Sequence, residues 1–191
     1  MSNLLNDPMP ILLTDRLSAP AAACADPAPQ PERRLDSAFG PLRLRMLAPA
    51  DGPAHVAFLQ ALGERGRRLR GFSLPAADGG VQLRPVLAQV SAAGGRDWLL
   101  GELCVSIDRG NVAAEFALEV RPALQGHGLG RLLLHSLIDL CLQRRVTLAC
   151  ASAPAGSPAM LALAHSCGFH IVRAADGSAQ LALMLPPRGV R

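Results

Sequence analysis

Three glycines occur within five residues at a point where one pattern of hydrophobicity gives way to another. Gly126, Gly128 and Gly130 follow the segment AEFALEV, residues 114–120, and precede the leucine-rich run RLLL, residues 131–134. The first segment predicts a strand and the second an amphipathic helix. Glycines allow close backbone approach to a ligand, and the free N–H groups and positive dipole end of a helix N-terminus attract anions. The segment therefore predicts a phosphate or pyrophosphate site.

Three phosphate-binding patterns compete for this segment. A Walker loop requires Gly-Lys-Ser/Thr, which is absent. The dinucleotide fingerprint requires a third glycine that is missing here, and its strand should open a parallel βαβ unit rather than close a meander. The third pattern fits: QGHGLG, residues 125–130, matches the Q/R-x-x-G-x-G/A pyrophosphate loop of the GNAT superfamily of acyl-CoA-dependent N-acyltransferases, which this chain resembles.

The resemblance extends over residues 42–185. Strand AEFALEV and the helix after the loop are similar to the family's fourth strand and third helix, and residues 157–169 are similar to its fourth helix ending in Gly-Phe. More narrowly, residues 42–51 and 67–73 resemble bacterial protein lysine acetyltransferases, some of which are fused to acyl-CoA synthetase domains. The implied fold is α/β, with a mixed, mainly antiparallel sheet of six to seven strands, about four flanking helices and a splayed strand pair at the cofactor site.

The order of elements predicted from the pattern is β-α-α-β-β-β-α-β-α-β-β. Strand 42–46 is followed by a helix over 51–62 with Asp51 as its cap, and a second helix or turn lies near 63–73. A strand is expected near 83–90, and later helices are expected at 128–144 and 157–167. Because residues 18–32 are rich in alanine and proline, residues 1–37 are predicted to be an extended or disordered arm. The domain then covers 38–187, with a tail at 188–191.

The resemblance implies which residues bind acetyl-CoA as co-substrate. The strand before the loop would hydrogen-bond the pantetheine arm, and the loop amides would surround the pyrophosphate, with Arg131 as a salt partner. Ser157 stands where the family often has a cofactor-contacting asparagine, and it is also a predicted N-cap. The cofactor-binding set is Leu118, Glu119, Val120, Gln125, Gly126, His127, Gly128, Leu129, Gly130, Arg131 and Ser157.

Acetyl transfer to an amine requires a neutral nucleophile. Deprotonating an alkyl ammonium of pKa ~10.4 at pH 7 costs roughly 4 to 5 kcal/mol, so a general base is useful. Glu115 matches the position of the lysine acetyltransferases' catalytic glutamate, and its apolar neighbours Ala114 and Phe116 are expected to desolvate it. Glu119 shares its strand face and is the alternative base. Ala164 occupies the place of the tyrosine that protonates the leaving thiolate in many members.

The acceptor is predicted to be a lysine ε-amine on another protein, with an acyl-CoA synthetase as the first candidate. Arg65, Arg67, Arg68 and Arg70 crowd a segment that borders the acceptor mouth in the resembled fold, and Arg67 and Arg70 are the predicted substrate-binding residues. The chain contains no lysine, so the acceptor must be supplied in trans. Two alternatives stay open: a small-molecule amine acetyltransferase, and a degenerate domain that binds acyl-CoA as a sensor or assembly module.

The amino-acid composition narrows the classes of function that remain. The chain has 191 residues and a net charge of +4, without a basic tract or tyrosine, so nucleic-acid binding has little support. Its five cysteines show no C-x-x-C pairing and suggest reduced core thiols rather than disulfides or a metal site. A signal peptide and a membrane span are not predicted. The expectation is a soluble, cytoplasmic monomer or homodimer without metal or membrane partners.

Overall fold

The computed structural model describes residues 32–37, 39–66, 80–89 and 97–186. Within them the strands are β1 (Arg33–Ser37), β2 (Gly40–Met46), β3 (Val81–Leu83), β4 (Pro85–Gln89), β5 (Trp98–Ile107), β6 (Ala113–Val120), β7 (Leu148–Ala153), β8 (His170–Arg173) and β9 (Ala179–Met184). The helices are α1 (Gly52–Leu62), α2 (Leu129–Arg144) and α3 (Pro158–Ser166). Residues 64–66 are also helical.

The nine strands form one mixed sheet in the order β1-β2-β4-β5-β6-β7-β9-β8, with β3 also paired to β5. All neighbours are antiparallel except β6 and β7, which are joined through α2 and run parallel. Parallel neighbours require a crossover connection, and α2 supplies it. The parallel junction therefore lies near the middle of an otherwise antiparallel sheet.

Helices cover both faces of this sheet. Phe58, Leu59 and Leu62 of α1 pack with Leu99 and Cys104 of β5 on one face. The larger core lies on the other face and joins α2 and α3 to the sheet through residues that include Leu133, Leu137, Phe116, Ala164 and Phe169. Because side chains alternate along a strand, each strand residue is assigned to one of these two faces.

The mixed, mainly antiparallel α/β sheet predicted from the sequence is confirmed, and its predicted strands and three of its helices occur in the expected order. Among the described residues, nine strands form instead of the six to seven that were expected. One addition is β1, which pairs with β2 in a hairpin, so residues 33–37 form a strand although they were predicted to belong to the extended or disordered arm. The other arises because the strand expected near 83–90 is two pieces, β3 and β4, separated by Arg84. The predicted arm 1–31 lies outside the described residues, as does most of the predicted second helix.

Asp51 stands at the predicted cap of α1, but its carboxylate does not bond the first turn of that helix. It accepts the N–H of Ala48 at 2.8 Å and two hydrogen bonds from Arg45, at 2.6 and 2.9 Å. These bonds from Arg45, outweighing the opposite effect of burial, hold the pKa of Asp51 below its usual value. Asp51 therefore fixes α1 to β2 rather than capping the helix.

In the part of the chain that the structure describes, none of the helices combines the length and the apolar composition that crossing a bilayer requires.

Candidate active site

Strands β6 and β7 separate along their length. Their parallel pairing covers three positions, from Ala113 with Leu148 to Glu115 with Cys150. Beyond Glu115, β6 continues to Val120 paired only with β5. The β6 edge over residues 116–120 therefore faces a gap toward β7.

This gap is the splayed strand pair expected from the sequence. In the family that the chain resembles, the two strands separate at a bulge, but β6 has no bulge, because the β5–β6 ladder keeps one register from Gly101–Val120 to Ile107–Ala114. A register shift occurs between β4 and β5, at Leu87 and Ala88. The expected ligand strand, Leu118 to Val120, borders the gap.

The glycine loop lies at the end of β6. A short 3₁₀ turn, Pro122–Leu124, leads into it, and α2 begins at Leu129. Gly126 and Gly128 have φ of +82° and +83°, the left-handed region that other residues rarely adopt. A Cβ added at either position would meet no atom within 4 Å. Both glycines are therefore required by backbone conformation, and the space beside them is open for a ligand.

The loop presents a series of free backbone donors. Leu132 N–H bonds to the Gly128 carbonyl, the first bond of the helix. Among the described residues, the N–H groups of residues 126–131 have no hydrogen-bond acceptor. Free N–H groups at a helix N-terminus, together with the helix dipole, form an anion site. The loop is thus suited to a pyrophosphate, as the sequence predicts.

Gly130 serves a different purpose from the other two glycines. It lies inside the first turn of α2, where a Cβ would approach Leu163 Cδ2 of α3 at 3.1 Å and Leu118 Cδ2 at 3.8 Å. The absence of a side chain at residue 130 therefore allows close contact between α2 and α3. This packing role was not apparent from the motif.

The side chains of the loop brace it from within. Gln125 Nε2 donates to the Val120 carbonyl at 3.1 Å and closes the turn. The His127 ring contacts the Gln125 carbonyl through Nδ1 at 2.9 Å and packs edge-on against Phe39 at 5.2 Å between centroids. Arg131 donates to Ser166 Oγ at 3.2 Å rather than to the loop. Its predicted contact with pyrophosphate stays a prediction.

Ser157 occupies the N-cap position of α3, as predicted, but its hydroxyl makes no capping bond. It borders a cleft of about 550 Å³ together with Leu161, His165 and Ile171. Ala164 is fully buried in the core, and an alanine at this position supplies no hydroxyl.

Glu115 and Glu119 lie on the α1 face of β6. Ala117, between them, packs against the α1 core, and strand alternation places both glutamates on the same side. Glu115 is exposed, and it pairs with Cys150 at the last position before the gap. The expected desolvation by Ala114 and Phe116 is wrong, because those side chains are buried on the opposite face.

A buried polar cluster on the same face was not predicted. The Glu102 side chain is fully buried in β5, directly opposite Glu119 in the β5–β6 ladder. Arg84 donates to Glu102 Oε1 through Nε at 2.6 Å and through a second guanidinium nitrogen. His55 Nε2 of α1 lies 2.9 Å from Glu102 Oε2. Burial raises the pKa of the Glu102 carboxyl, but the His55 bond and the Arg84 charge outweigh it and hold the pKa below its ordinary value.

A signal for this cluster exists in the sequence. Glu102 interrupts the apolar strand LLGELCV, residues 99–105, and a carboxylate in such a strand is rarely buried unless it is paired. The partners could not be identified, because His55 and Arg84 are distant in the chain.

The cysteines of the described residues are free, and Cys104 and Cys141 are buried. Burial raises the pKa of Cys141 to about 12. Burial first, and then the charge of Glu115, raises the pKa of the Cys150 thiol beside the gap. These thiols are therefore poor nucleophiles at neutral pH. Within the described ranges no group of three or more His, Cys, Asp or Glu residues is placed to hold a metal.

The predicted acceptor-binding residues Arg67 and Arg70 lie outside the described residues, as does Arg68. Arg65 is described and exposed.

Comparison with known proteins agrees with this site. Residues 79–169, just under half of the chain, match the family model described as the acetyltransferase (GNAT) family. No curated protein matches the chain.

Solved structures share the fold. The GNAT domain of S. lividans PAT is 18% identical, with a TM-score of 0.60, and the match covers 81% of this chain and 97% of that one. The ribosomal-protein-S18-alanine N-acetyltransferase from Escherichia coli is 22% identical, with a TM-score of 0.55 and coverage of 78% and 96%. The yncA protein from Salmonella typhimurium, solved with its cofactor acetyl-CoA, is 21% identical, with a TM-score of 0.53 and coverage of 78% and 96%.

The fold, the glycine loop at the splayed strands and the family match define an acetyl-CoA-dependent N-acyltransferase with the GNAT fold. Acetyl-CoA is its co-substrate.

Proposed function

We propose that this chain transfers an acetyl group from acetyl-CoA to a lysine ε-amine of another protein, with Glu115 as the general base. The observation that supports this function best is the position of Glu115. It is the last residue of β6 paired with β7, so its carboxylate lies where the gap for the acyl chain begins. It is also on the α1 face, opposite the face that α2 covers.

The cofactor arm is proposed to enter the gap beside residues 118–120, with its pyrophosphate on the amides of residues 126–131. Arg131 and Ser157 would contact it from α2 and α3. The free loop donors and the open space beside Gly126 and Gly128 support this assignment.

The chemistry places three demands on the chain. An ammonium must lose a proton before its nitrogen can attack the thioester carbonyl, and Glu115 accepts that proton directly or through water. The C–N bond forms as the C–S bond breaks, and CoA leaves as a thiolate. With Ala164 buried and no tyrosine in the chain, water protonates the thiolate.

A cationic acceptor is supported by the charges on the α1 face. Glu102, Glu115 and Glu119 lie on this one face, and Arg84 and His55 pair with Glu102. The exposed carboxylate of Glu115 attracts an ammonium group. A protein rather than a small amine is proposed because of the arginine-rich segment 65–70 and the absence of lysine from the chain. Solved structures of the same fold include a ribosomal-protein-alanine and a spermidine acetyltransferase, so the fold is compatible with either acceptor class.

The experiment is mass spectrometry of cell extract incubated with labelled acetyl-CoA and either wild-type protein or Glu115→Gln. Asp139→Asn, which removes an exposed carboxylate from α2, is the matched control. We expect enzyme-dependent lysine acetylation that Glu115→Gln reduces and Asp139→Asn does not. Because an amine deprotonates by itself at high pH, the loss in Glu115→Gln should shrink as the pH rises.

Acetylation of small amines without any protein lysine would contradict the acceptor. Normal turnover of Glu115→Gln across the pH range would contradict the base. A folded wild type that binds acetyl-CoA but acetylates no amine would favour the sensor function.

A further inference from the structure

The buried cluster around Glu102 has the arrangement of a proton-accepting dyad. A histidine becomes a base when one ring nitrogen donates to a fixed carboxylate, because the other nitrogen then carries the lone pair. His55 Nε2 lies 2.9 Å from Glu102 Oε2. Among the described residues, Nδ1 of His55 has no hydrogen-bond partner.

Arg84 fixes the charge of the carboxylate in this dyad. It bonds Oε1 of Glu102 through two nitrogens and leaves Oε2 to the histidine. Arg84 also lies 3.1 Å from His55 Nε2. That nitrogen either donates to Glu102 or accepts from Arg84, and only the first choice satisfies a charged, fully buried carboxylate on both oxygens.

The dyad borders the acceptor side of the site. Glu102 is the direct ladder partner of Glu119, and neighbouring strands lie about 4.8 Å apart. Glu119 belongs to the part of β6 beyond its pairing with β7. His55 reaches this face from α1 and keeps 14% of its side chain exposed, whereas Glu102 has none.

We infer that His55, oriented by Glu102 and Arg84, is a second proton acceptor for the incoming amine, an inference that rests on the proposed acetyl transfer. The ammonium proton passes to Nδ1 of His55, and the freed lone pair forms the C–N bond at the thioester carbonyl carbon. The C–S bond breaks, and the second amine proton passes through water to the CoA thiolate. The imidazolium then returns its proton to solvent. Glu102 and Arg84 are positioning residues, since they act through His55.

Other charged groups also face His55. The β5 strand contributes Glu102 and the thiol of Cys104, which lies 3.6 Å from the Glu102 carboxylate. Arg84 comes from the connection between β3 and β4, and Asp51, just before α1, interacts electrostatically with His55. Glu119 lies on the same face of β6. The chain holds five histidines, so a single substitution identifies the signal of His55.

The first test is the pH dependence of acetyl transfer to a lysine peptide by the full chain and by His55→Gln, Glu102→Gln and His135→Gln. His135 is exposed on α2 and is the control. We expect His55→Gln to lower kcat by roughly tenfold to a hundredfold, below the full effect of a lone general base because Glu115 remains. The acidic limb of the profile should change in His55→Gln, and Glu102→Gln should shift it. A purely structural role would lower the amount of folded protein and leave the profile unchanged.

The second test does not need turnover. Nitrogen-15 NMR of the histidine rings reports which nitrogen is protonated, and we expect the neutral His55 ring to carry its proton on Nε2. A proton on Nδ1, or a pH profile unchanged in folded His55→Gln, would overturn the inference. A wild type inert toward lysine peptides would instead overturn the proposed function, while the NMR result would still decide whether the dyad exists.

Discussion

Replacing Gly128 by aspartate tests whether the loop binds the pyrophosphate. Gly128 has φ +83° and ψ −4° and immediately precedes α2. Asparagine is the matched control, since it is isosteric with aspartate, and both residues tolerate the left-handed region better than other side chains. A Cβ at this position would contact nothing within 4 Å. Both variants should therefore fold, each with about 1 kcal/mol less stability than wild type.

The difference between the two variants is then a charge. At about 5 Å, a carboxylate and one phosphate charge repel each other by roughly 1 kcal/mol in bulk water and roughly 3 kcal/mol at an effective dielectric of 20. That range corresponds to about a fivefold to 150-fold weaker affinity of Gly128→Asp relative to Gly128→Asn. Because exposed charges are screened by salt, the difference should decrease as ionic strength rises.

Isothermal titration calorimetry of acetyl-CoA at low and high salt measures this difference, and thermal denaturation confirms that each variant is folded. Pantetheine without its nucleotide is the ligand control, since its affinity should not distinguish the two variants. Equal affinity of folded Gly128→Asp and Gly128→Asn for acetyl-CoA would refute the assignment of the loop to the pyrophosphate.

Two further predictions concern stability. Gly130→Val should lower the melting temperature, because its side chain would clash with Leu163, which a bare Cβ already approaches at 3.1 Å. Gly130→Ala should change the melting temperature little, because better helix propensity, worth about 1 kcal/mol, offsets a shift of the flexible leucine end. Equal destabilisation by alanine and valine in thermal denaturation would contradict this prediction. Asp51→Asn should cost about 3 kcal/mol at pH 7 by weakening the bonds from Arg45. Because the pKa of Asp51 in the folded protein lies below its ordinary 3.8, this contribution is complete above about pH 4 and is lost as the pH falls through the lowered pKa. The free energies of unfolding of wild type and variant, measured by urea denaturation, should therefore converge in acid. A difference that stays constant with pH would contradict the prediction.

The glycine loop was accessible from the sequence because its signals are local. Left-handed glycines, a preceding alternating strand and a following amphipathic helix lie within about 30 consecutive residues, and each pattern has one simple structural solution. The same motif could not separate the roles of the three glycines. Gly126 and Gly128 are needed for backbone conformation, but Gly130 is needed because α3, more than 25 residues later, packs against it. A local sequence pattern does not predict contact with an element that is distant in the chain.

The strands show the same limit. The sequence placed β6 correctly, yet the apolar neighbours of Glu115 suggested burial, which strand alternation excludes because adjacent side chains point to opposite faces. β1 was overlooked because its segment RRLDS is polar and follows a proline-rich stretch. It forms because β2 offers an edge, with Leu35 opposite Leu42. Pairing of this kind depends on the partner strand rather than on propensity.

The cluster of His55, Arg84 and Glu102 could be predicted only in part from the sequence. His55 and Glu102 are 47 residues apart, and each by itself resembles an ordinary polar residue in an amphipathic helix or strand. A buried carboxylate must be paired, so Glu102 alone predicts that a cation or donor exists, but only the sheet register determines which. Strand β5 packs against α1 and pairs with β6, so Glu102 contacts His55 of α1 and lies directly opposite Glu119 of β6. The pairing that satisfies a folding requirement thus puts a titratable ring next to the face where an amine must lose its proton.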